Sequence, residues 1–253
     1  SIPFIFLSAR SDPADLLKGR SLGVEDYLTK PIRREELVTT IRSRLSRFNQ
    51  AQMAMVRQAY LDSLVTLAGA IEQRAPGEPD HIQRATRLAL LLAARLGWAE
   101  HRLEMLRFAA ILHDIGKIHI SAATLFKTTP LTADEWAVIR RHPVTGAEMI
   151  KDVPFLTGCI SYVRHHHEQW QGGGYPDGLA GEAIPDGARI LAVVDAFDRI
   201  CSPRVYAAAR PADQALDELR ALAGRRYDPA VVEALYAAWQ AGEVQAIYPT
   251  PPA

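Results

Sequence analysis

Beyond Pro76 the chain consists of short helical patterns with few residues between them, and this spacing restricts what it can fold into. The breaks between the patterns contain helix-ending residues, namely Gly97, Pro130, Pro143, Pro154 and Pro203. Short connections between amphipathic helices favour a compact helical bundle. We expect its helices over about 80–96, 101–114, 133–141, 144–151, 157–167, 187–201, 211–223 and 228–240.

The first 75 residues show a different pattern, with two short apolar runs followed by one long helix. Residues 3–7 suit a buried parallel strand, and residues 24–31 predict a second strand that ends at a proline. A helix is expected between them, over about 13–22. From Arg33 to Ile71 the helical pattern continues without a proline, and a helix of about 40 residues indicates a coiled-coil connector. Two helices with a kink near 48–52 are the alternative.

The composition excludes several classes of protein. Hydrophobic residues make up 48% of the chain, so a sizeable core is expected and disorder is not. The net charge is zero, which disfavours nucleic-acid binding through a broad basic face, and Arg225-Arg226 is expected on a solvated helix face. No apolar run reaches about 18 residues and no signal peptide is visible, so we expect no membrane span. Cys159 and Cys201 are typical of reduced, buried thiols in a cytoplasmic protein.

Side chains that can bind a metal recur along the chain around the pair His113-Asp114. His81 precedes the pair, and His142, His166, His167 and Asp195 follow it. Imidazole and carboxylate together suit first-row transition metals such as Fe, Mn, Co, Ni or Zn. These ligands are too many for one ion and about right for two, which would activate water to attack a phosphate ester. Because a carboxylate has two oxygens and a neutral imidazole one free lone pair, Asp114 is the predicted bridge.

A glycine-rich loop follows the histidine doublet. Residues 172–174 are consecutive glycines, which allow the backbone to approach a ligand closely, and Pro176 stiffens the end of the loop. Such a loop beside two metals could admit a phosphodiester; a plain surface turn is the alternative. Asp198 could either orient a ligand or pair locally. Trp98, Trp136 and Trp239 are expected in the core.

Residues 60–240 resemble an HD-GYP domain, a subclass of the HD phosphohydrolases. The resemblance is carried by His113-Asp114-Ile115-Gly116-Lys117, His166-His167-Glu168 and Gly174-Tyr175-Pro176, with support from the segment 189–198. It implies a mainly α fold built on a helical-bundle HD-type domain. It also implies a phosphodiesterase that hydrolyses cyclic di-GMP to pGpG and in some members onward to GMP.

The resemblance also assigns roles to individual residues. One metal would take His81, His113, Asp114 and Asp195, and the second would take Asp114, His142, His166 and His167. Fe or Mn are the expected ions, with Ni, Co or Zn as alternatives. Asp114 and Lys117 would be the catalytic residues. Lys117 and Arg204 would hold the phosphates, and Tyr175, between Gly174 and Pro176, would line the substrate pocket.

Three positions depart from the family pattern. Gly77 stands where some members carry a glutamate for a third metal, so the resemblance implies a binuclear centre. Gln171 replaces a short polar residue beside the glycine loop, and Ala207 replaces a basic residue after Arg204. The last two lie around the substrate. They leave open a sensor that binds cyclic di-GMP without useful turnover, or a hydrolase of another cyclic or linear dinucleotide.

The first 45 residues resemble the C-terminal half of a response-regulator receiver domain through Ser8, Tyr27 and Lys30-Pro31. An unrelated α/β fragment is the alternative. The two resemblances divide the chain into a receiver part (1–47), a connector helix (48–75), an HD-GYP domain (76–242) and a tail (243–253). They imply a bacterial second-messenger output protein, with a cognate sensor kinase as partner and a homodimer formed through the connector helix.

Overall fold

A computed structural model describes residues 5–8, 26–72, 80–203 and 208–248, and the chain divides into two compact units, Ser1–Ser63 and Leu64–Ala253. The expected helix over 13–22 and the positions Gly77, Arg204 and Ala207 lie outside the described residues.

The strands are β1 (Ile5–Ser8) and β2 (Asp26–Thr29). The α-helices are α1 (Arg34–Glu72), α2 (His81–Arg95), α3 (Glu100–Leu112), α4 (Ala122–Leu125), α5 (Ala133–Arg140), α6 (His142–Ile150), α7 (Ile160–His165), α8 (Asp186–Cys201), α9 (Ala212–Ala221) and α10 (Pro229–Gln240). Short 3-10 helices cover Ile115–His119, Pro154–Cys159 and Gly181–Ala183.

In the first unit the two strands pair in parallel, as their apolar sequences predict. Ile5 lies opposite Asp26 and Ser8 lies opposite Thr29. Helix α1 begins at Arg34 and continues without a break through residues 48–52, so the single connector helix is observed. The assignment of this unit to a receiver domain stays a prediction.

The second unit is a helical bundle, and this confirms the expected mainly α fold. Helix α2 packs against both α3 and α8. Leu88 and Leu92 of α2, Ala109 of α3 and Phe197 of α8 are fully buried between them. Because the apolar residues of α2 recur every three or four positions, one face of this helix is buried along its whole length. This packing sets the positions of the helix ends that carry the candidate ligands.

A close backbone contact joins the turn after α3 to the start of α6. The 3-10 helix Ile115–His119 packs on α6, and Gly116 is the point of closest approach. A Cβ at Gly116 would lie 2.1 Å from the carbonyl oxygen of His142 and 2.7 Å from the amide nitrogen of Gly146. Only glycine fits there, and the contact brings the residues before it beside His142.

The structure differs from the sequence-based expectation in a few details. Helix α3 ends at Leu112, two residues before the expected end, and the expected helix over 157–167 is a 3-10 helix followed by α7. Trp136 was expected in the core and is 47% exposed, so that prediction is wrong. Its position in the short helix α5 leaves its ring on the surface, because α5 buries none of its residues.

Two features bear on the expectations about membranes and thiols. The described helices include none that is both long and apolar enough to span a bilayer. Cys159 and Cys201 are free thiols, and burial raises the pKa of each to about 12. Such thiols are unreactive and serve packing.

Candidate metal centre

Helix ends bring most of the predicted metal ligands together. They form two groups that share one carboxylate: His81, His113 and Asp114 in the first, and Asp114, His142, His166 and His167 in the second. Within each group the ligand atoms lie within 4.8 Å of one another. His81 begins α2, His113 and Asp114 directly follow α3, His142 begins α6, and His166 and His167 directly follow α7. Adjacent residues can therefore face the same centre, which the 100° turn per residue of a continuous helix would prevent.

Hydrogen bonds determine which ring nitrogen carries the proton in four of the histidines. Nδ1 of His113, of His142 and of His166 donates to a backbone carbonyl oxygen three residues earlier, at 2.8, 2.7 and 2.7 Å. Nδ1 of His81 donates to Oδ2 of Asp198 at 2.6 Å. A neutral imidazole with its proton on Nδ1 has a lone pair on Nε2. All four rings therefore place Nε2 towards the centre, where it carries the free lone pair of the neutral imidazole.

These lone pairs converge around Asp114. The Nε2 atoms of His81 and His113 are 3.5 Å apart, and those of His142 and His166 are 3.3 Å apart. Oδ1 of Asp114 lies 3.1 Å from Nε2 of His142, is buried, and accepts no hydrogen bond from the described residues. Electron-rich atoms at such distances repel one another unless a cation lies between them. The donor set therefore fits transition-metal ions.

Burial keeps His113, His166 and His167 neutral, and the surroundings of Asp114 keep that carboxylate ionised. Burial lowers the pKa of His113 to about 4, and it holds the pKa values of His166 and His167 well below the usual range, with neighbouring imidazoles acting in the same direction. Burial alone would raise the pKa of Asp114, but the positive charge of Lys117 holds it well below its usual value. Neutral imidazole and ionised carboxylate are the forms that bind a metal.

Asp195, the remaining predicted ligand, belongs to neither group. It lies in α8, and its carboxylate forms an ion pair with Arg199 one turn later. It nevertheless lines the same cleft as His166 and His167. Its role as a ligand stays a prediction.

Asp198 holds the His81 ring of the first group through a hydrogen bond to Nδ1. It is 1% exposed, and besides the His81 ring it accepts hydrogen bonds from Nε of Arg84 at 2.7 Å and from the hydroxyl of Tyr248 at 2.8 Å. Arg84 also donates to Ser202 at 2.8 Å. Of the two interpretations left open by the sequence, Asp198 therefore orients a candidate ligand. Arg84 lies one turn after His81 and could have been found from that spacing, whereas no local signal distinguishes Tyr248.

The glycine-rich loop packs beside His167. Glu168 is 3% exposed, and its Oε1 accepts hydrogen bonds from two backbone amides at the far end of the loop, at 2.8 and 3.0 Å. A Cβ at Gly174 would lie 2.4 Å from the backbone at the start of the loop, so the two sides can approach only with glycine there. The ring of Tyr175, which precedes Pro176, packs on His167 with 4.9 Å between ring centroids.

A cleft of about 430 Å³ opens outward from the histidine doublet, and Tyr175 forms part of its wall. Lys117, the predicted phosphate-binding residue, forms an ion pair with Asp114. The lining also includes Trp136, Arg140, Arg199 and Arg226, none of which was predicted to contact a ligand. Arg226 is exposed, as expected, but it lies in a turn and not on a helix face, and it lines this cleft.

The chain is similar to an HD domain family and to several proteins named as cyclic dinucleotide phosphodiesterases. An HD domain profile matches residues 66–231. The cyclic di-GMP phosphodiesterase response regulator RpfG of Xanthomonas campestris pv. campestris is 38% identical, over 92% of this chain and 67% of that protein. A cyclic di-GMP phosphodiesterase of Thermotoga maritima is 30% identical, over 91% of this chain and 70% of that protein. A 3′3′-cGAMP-specific phosphodiesterase (number 2) of Vibrio cholerae is 34% identical, over 74% of this chain and 36% of that protein.

A solved structure shows the same fold. The cyclic GMP-AMP-specific phosphodiesterase V-cGAP3 of Vibrio cholerae superposes with a TM-score of 0.57 at 20% identity. The superposition covers 75% of this chain and 53% of that chain. At this identity the likeness concerns the arrangement of the helices.

Proposed function

The chain belongs to the HD domain family, in its HD-GYP subclass, and on this premise we propose that it is a metal-dependent phosphodiesterase that hydrolyses cyclic di-GMP. One observation carries the proposal: the Nε2 atoms of four histidines are turned towards Asp114, whose buried Oδ1 has no hydrogen-bond donor among the described residues. The relatives named as cyclic di-GMP phosphodiesterases support the choice of substrate. The product would be pGpG and, after a second hydrolysis, GMP.

We propose a binuclear centre in which Asp114 is shared. His81, His113 and Asp195 would complete the first site, and His142, His166 and His167 the second. To bind, the carboxylate of Asp195 would exchange its ion pair with Arg199 for the metal. Iron or manganese suits these nitrogen and oxygen ligands, with nickel, cobalt or zinc as alternatives. Two bound ions would supply Lewis acidity and would lower the pKa of the attacking water.

The protein's own groups would orient the substrate. Lys117 lies beside Asp114 and would hold the phosphate to be cleaved, together with Arg204. Tyr175, held between Gly174 and Pro176, would close one wall of the cleft. Burial raises the pKa of Tyr175 to about 12, so its phenol would donate a hydrogen bond and would not act as a base.

Hydrolysis of 3′3′-cGAMP is a second candidate, because a Vibrio cholerae enzyme named for that substrate is 34% identical over most of this chain. Both ligands are cyclic dinucleotides with two phosphodiesters, so the proposed metal chemistry is the same. Gln171 and Ala207 keep a third outcome open, in which cyclic di-GMP binds without useful turnover.

We further propose that residues 1–47 are the C-terminal part of a receiver domain that a sensor kinase controls, and that residues 48–75 join two copies. On the connector helix, Met53 and Met55 are 72% exposed and Val56 is 62% exposed. Exposed apolar side chains on a long helix are typical of a coiled-coil partner surface. The whole would act as a cytoplasmic response regulator. A monomer in light scattering at micromolar concentration would contradict the dimer.

The function is tested on protein purified without oxygen. Its metal content is measured by mass spectrometry. The protein is then incubated with cyclic di-GMP or 3′3′-cGAMP, and the products are separated by chromatography. We expect about two transition-metal ions per chain and conversion of cyclic di-GMP to pGpG, with chelator-treated protein as the inactive control. Consumption of 3′3′-cGAMP alone would favour the second candidate. Binding of cyclic di-GMP without product, at full metal content, would contradict an enzyme.

A further inference from the structure

The outer part of the cleft is lined by guanidinium groups from three separate parts of the bundle. Arg140 ends α5, Arg199 lies near the end of α8, and Arg226 lies in the turn between α9 and α10. All three are exposed. They line the same cleft as the candidate metal ligands His166 and His167.

These three positive charges share a cleft with Tyr175. Arg140, Arg199 and Arg226 all contribute to its lining, as the tyrosine ring does. The guanidinium of Arg140 also lies 5.6 Å from the centre of the Tyr175 ring. The arginines therefore form one positive region next to the loop, although they are far apart in the sequence.

Three carboxylates also line this cleft, but none of them forms an ion pair with Arg140 or Arg226. Glu218, which also lines the cleft, pairs with Arg210 at 2.8 Å, and Glu168 is engaged by the amides of the glycine-rich loop. Asp195 pairs with Arg199. Among the described residues, no carboxylate forms an ion pair with Arg140 or Arg226. Exposed cations without counter-charges in a concave wall attract an anion.

Resting on the proposed function, we propose that this outer cleft is a second anion-binding subsite, in which Arg140 and Arg226 hold the phosphodiester of the cyclic dinucleotide that is not being hydrolysed. A cyclic dinucleotide carries two phosphodiesters, and the metal centre acts on one of them at a time. The forked donors of arginine match the oxygens of the other.

The test measures substrate binding and turnover separately, in the double variant Arg140→Gln/Arg226→Gln. Binding of cyclic di-GMP to chelator-treated protein is titrated by calorimetry. We expect the variant to bind at least about tenfold more weakly than wild type does. In metal-loaded protein we expect the KM for cyclic di-GMP to rise by a similar factor. Bis(p-nitrophenyl) phosphate has a single phosphodiester, so the ratio of its kcat/KM to that of cyclic di-GMP should rise about tenfold.

The matched control is Arg225→Gln, which removes the same charge from the neighbouring exposed position outside the cleft lining. It should bind cyclic di-GMP as wild type does, and the melting temperatures of all variants should agree. Unchanged binding in the double variant, no binding by chelator-treated wild type, or equal losses on both substrates would each overturn the subsite. If wild type binds cyclic di-GMP through these arginines and never hydrolyses it, the subsite stands and the proposed enzyme does not.

Discussion

The metal centre and the outer cleft adjoin each other, but their side chains are held in different ways. His113 and His166 are 2% and 0% exposed, and each donates its Nδ1 proton to a carbonyl oxygen of its own segment. Arg140 and Arg226 are exposed and pair with no described carboxylate. The centre is therefore preorganised for a metal, whereas the outer cleft can adjust to its ligand. Changes in the centre should affect metal affinity, and changes in the outer cleft should affect substrate affinity.

The largest effect is expected from Asp114→Asn. The amide has the shape of the carboxylate but lacks its charge, and its NH₂ group points a proton into a cluster of lone pairs. Both ligand groups share this residue, so we expect metal content and hydrolysis of cyclic di-GMP to fall to background together. Metal analysis and product chromatography on the same sample measure both. Hydrolysis at the normal rate would rule out the shared-carboxylate centre.

A smaller loss is expected from Asp198→Asn, which weakens the group that holds the His81 ring at 2.6 Å. Losing such an orienting partner typically costs about 10–100-fold in metal affinity. Competition with a fluorescent chelator measures the change. The control is Glu243→Gln, which removes an exposed carboxylate that accepts from Arg95 at 2.7 Å, an ion pair that includes none of the predicted metal ligands. Equal effects of the two substitutions on metal affinity would contradict the role of Asp198.

Trp136→Ala tests the wall of the outer cleft. Its ring is 47% exposed and lines the cleft beside Arg140, where it offers a flat face for a purine base. Base–aromatic stacking is worth about 1–3 kcal/mol, so the KM for cyclic di-GMP should rise by about tenfold. Metal content should not change, and Trp136→Phe should retain most of the affinity. A loss of metal in Trp136→Ala would show that the two regions are not separate.

The smallest effect is expected from Tyr248→Phe. It removes one donor from Asp198, which keeps its hydrogen bonds to His81 and Arg84. We expect the free energy of unfolding to fall by about 1–2 kcal/mol and metal affinity to weaken severalfold. Thermal melting and the chelator competition measure these changes. The control is Tyr236→Phe, a substitution at a half-buried tyrosine of α10. Identical behaviour of the two variants would exclude a contribution of Tyr248 to the centre.

Several features could be predicted from the sequence because few residue types can do what they require. Metal binding restricts candidate ligands to a few residue types, such as those of His81, His113 and Asp114, and the close contact with α6 restricts Gly116 to glycine. Other features could not be predicted. Helix α3 ends at Leu112, and the helical pattern across residues 101–114 did not show this end. The core prediction for Trp136 was wrong, because residue type does not distinguish a core position from the wall of a cleft.

By itself, the sequence determined the helical bundle, the family and the candidate ligands. The spacing of apolar residues and the residue types that can bind a metal are both visible in the sequence itself. Only the tertiary structure decided which groups meet across long separations. It joins Tyr248, in the segment expected to be a tail, to Asp198, and it brings Arg140, Arg199 and Arg226 around Tyr175. These encounters depend on how helices pack, and packing is a property of the whole bundle that no local pattern encodes.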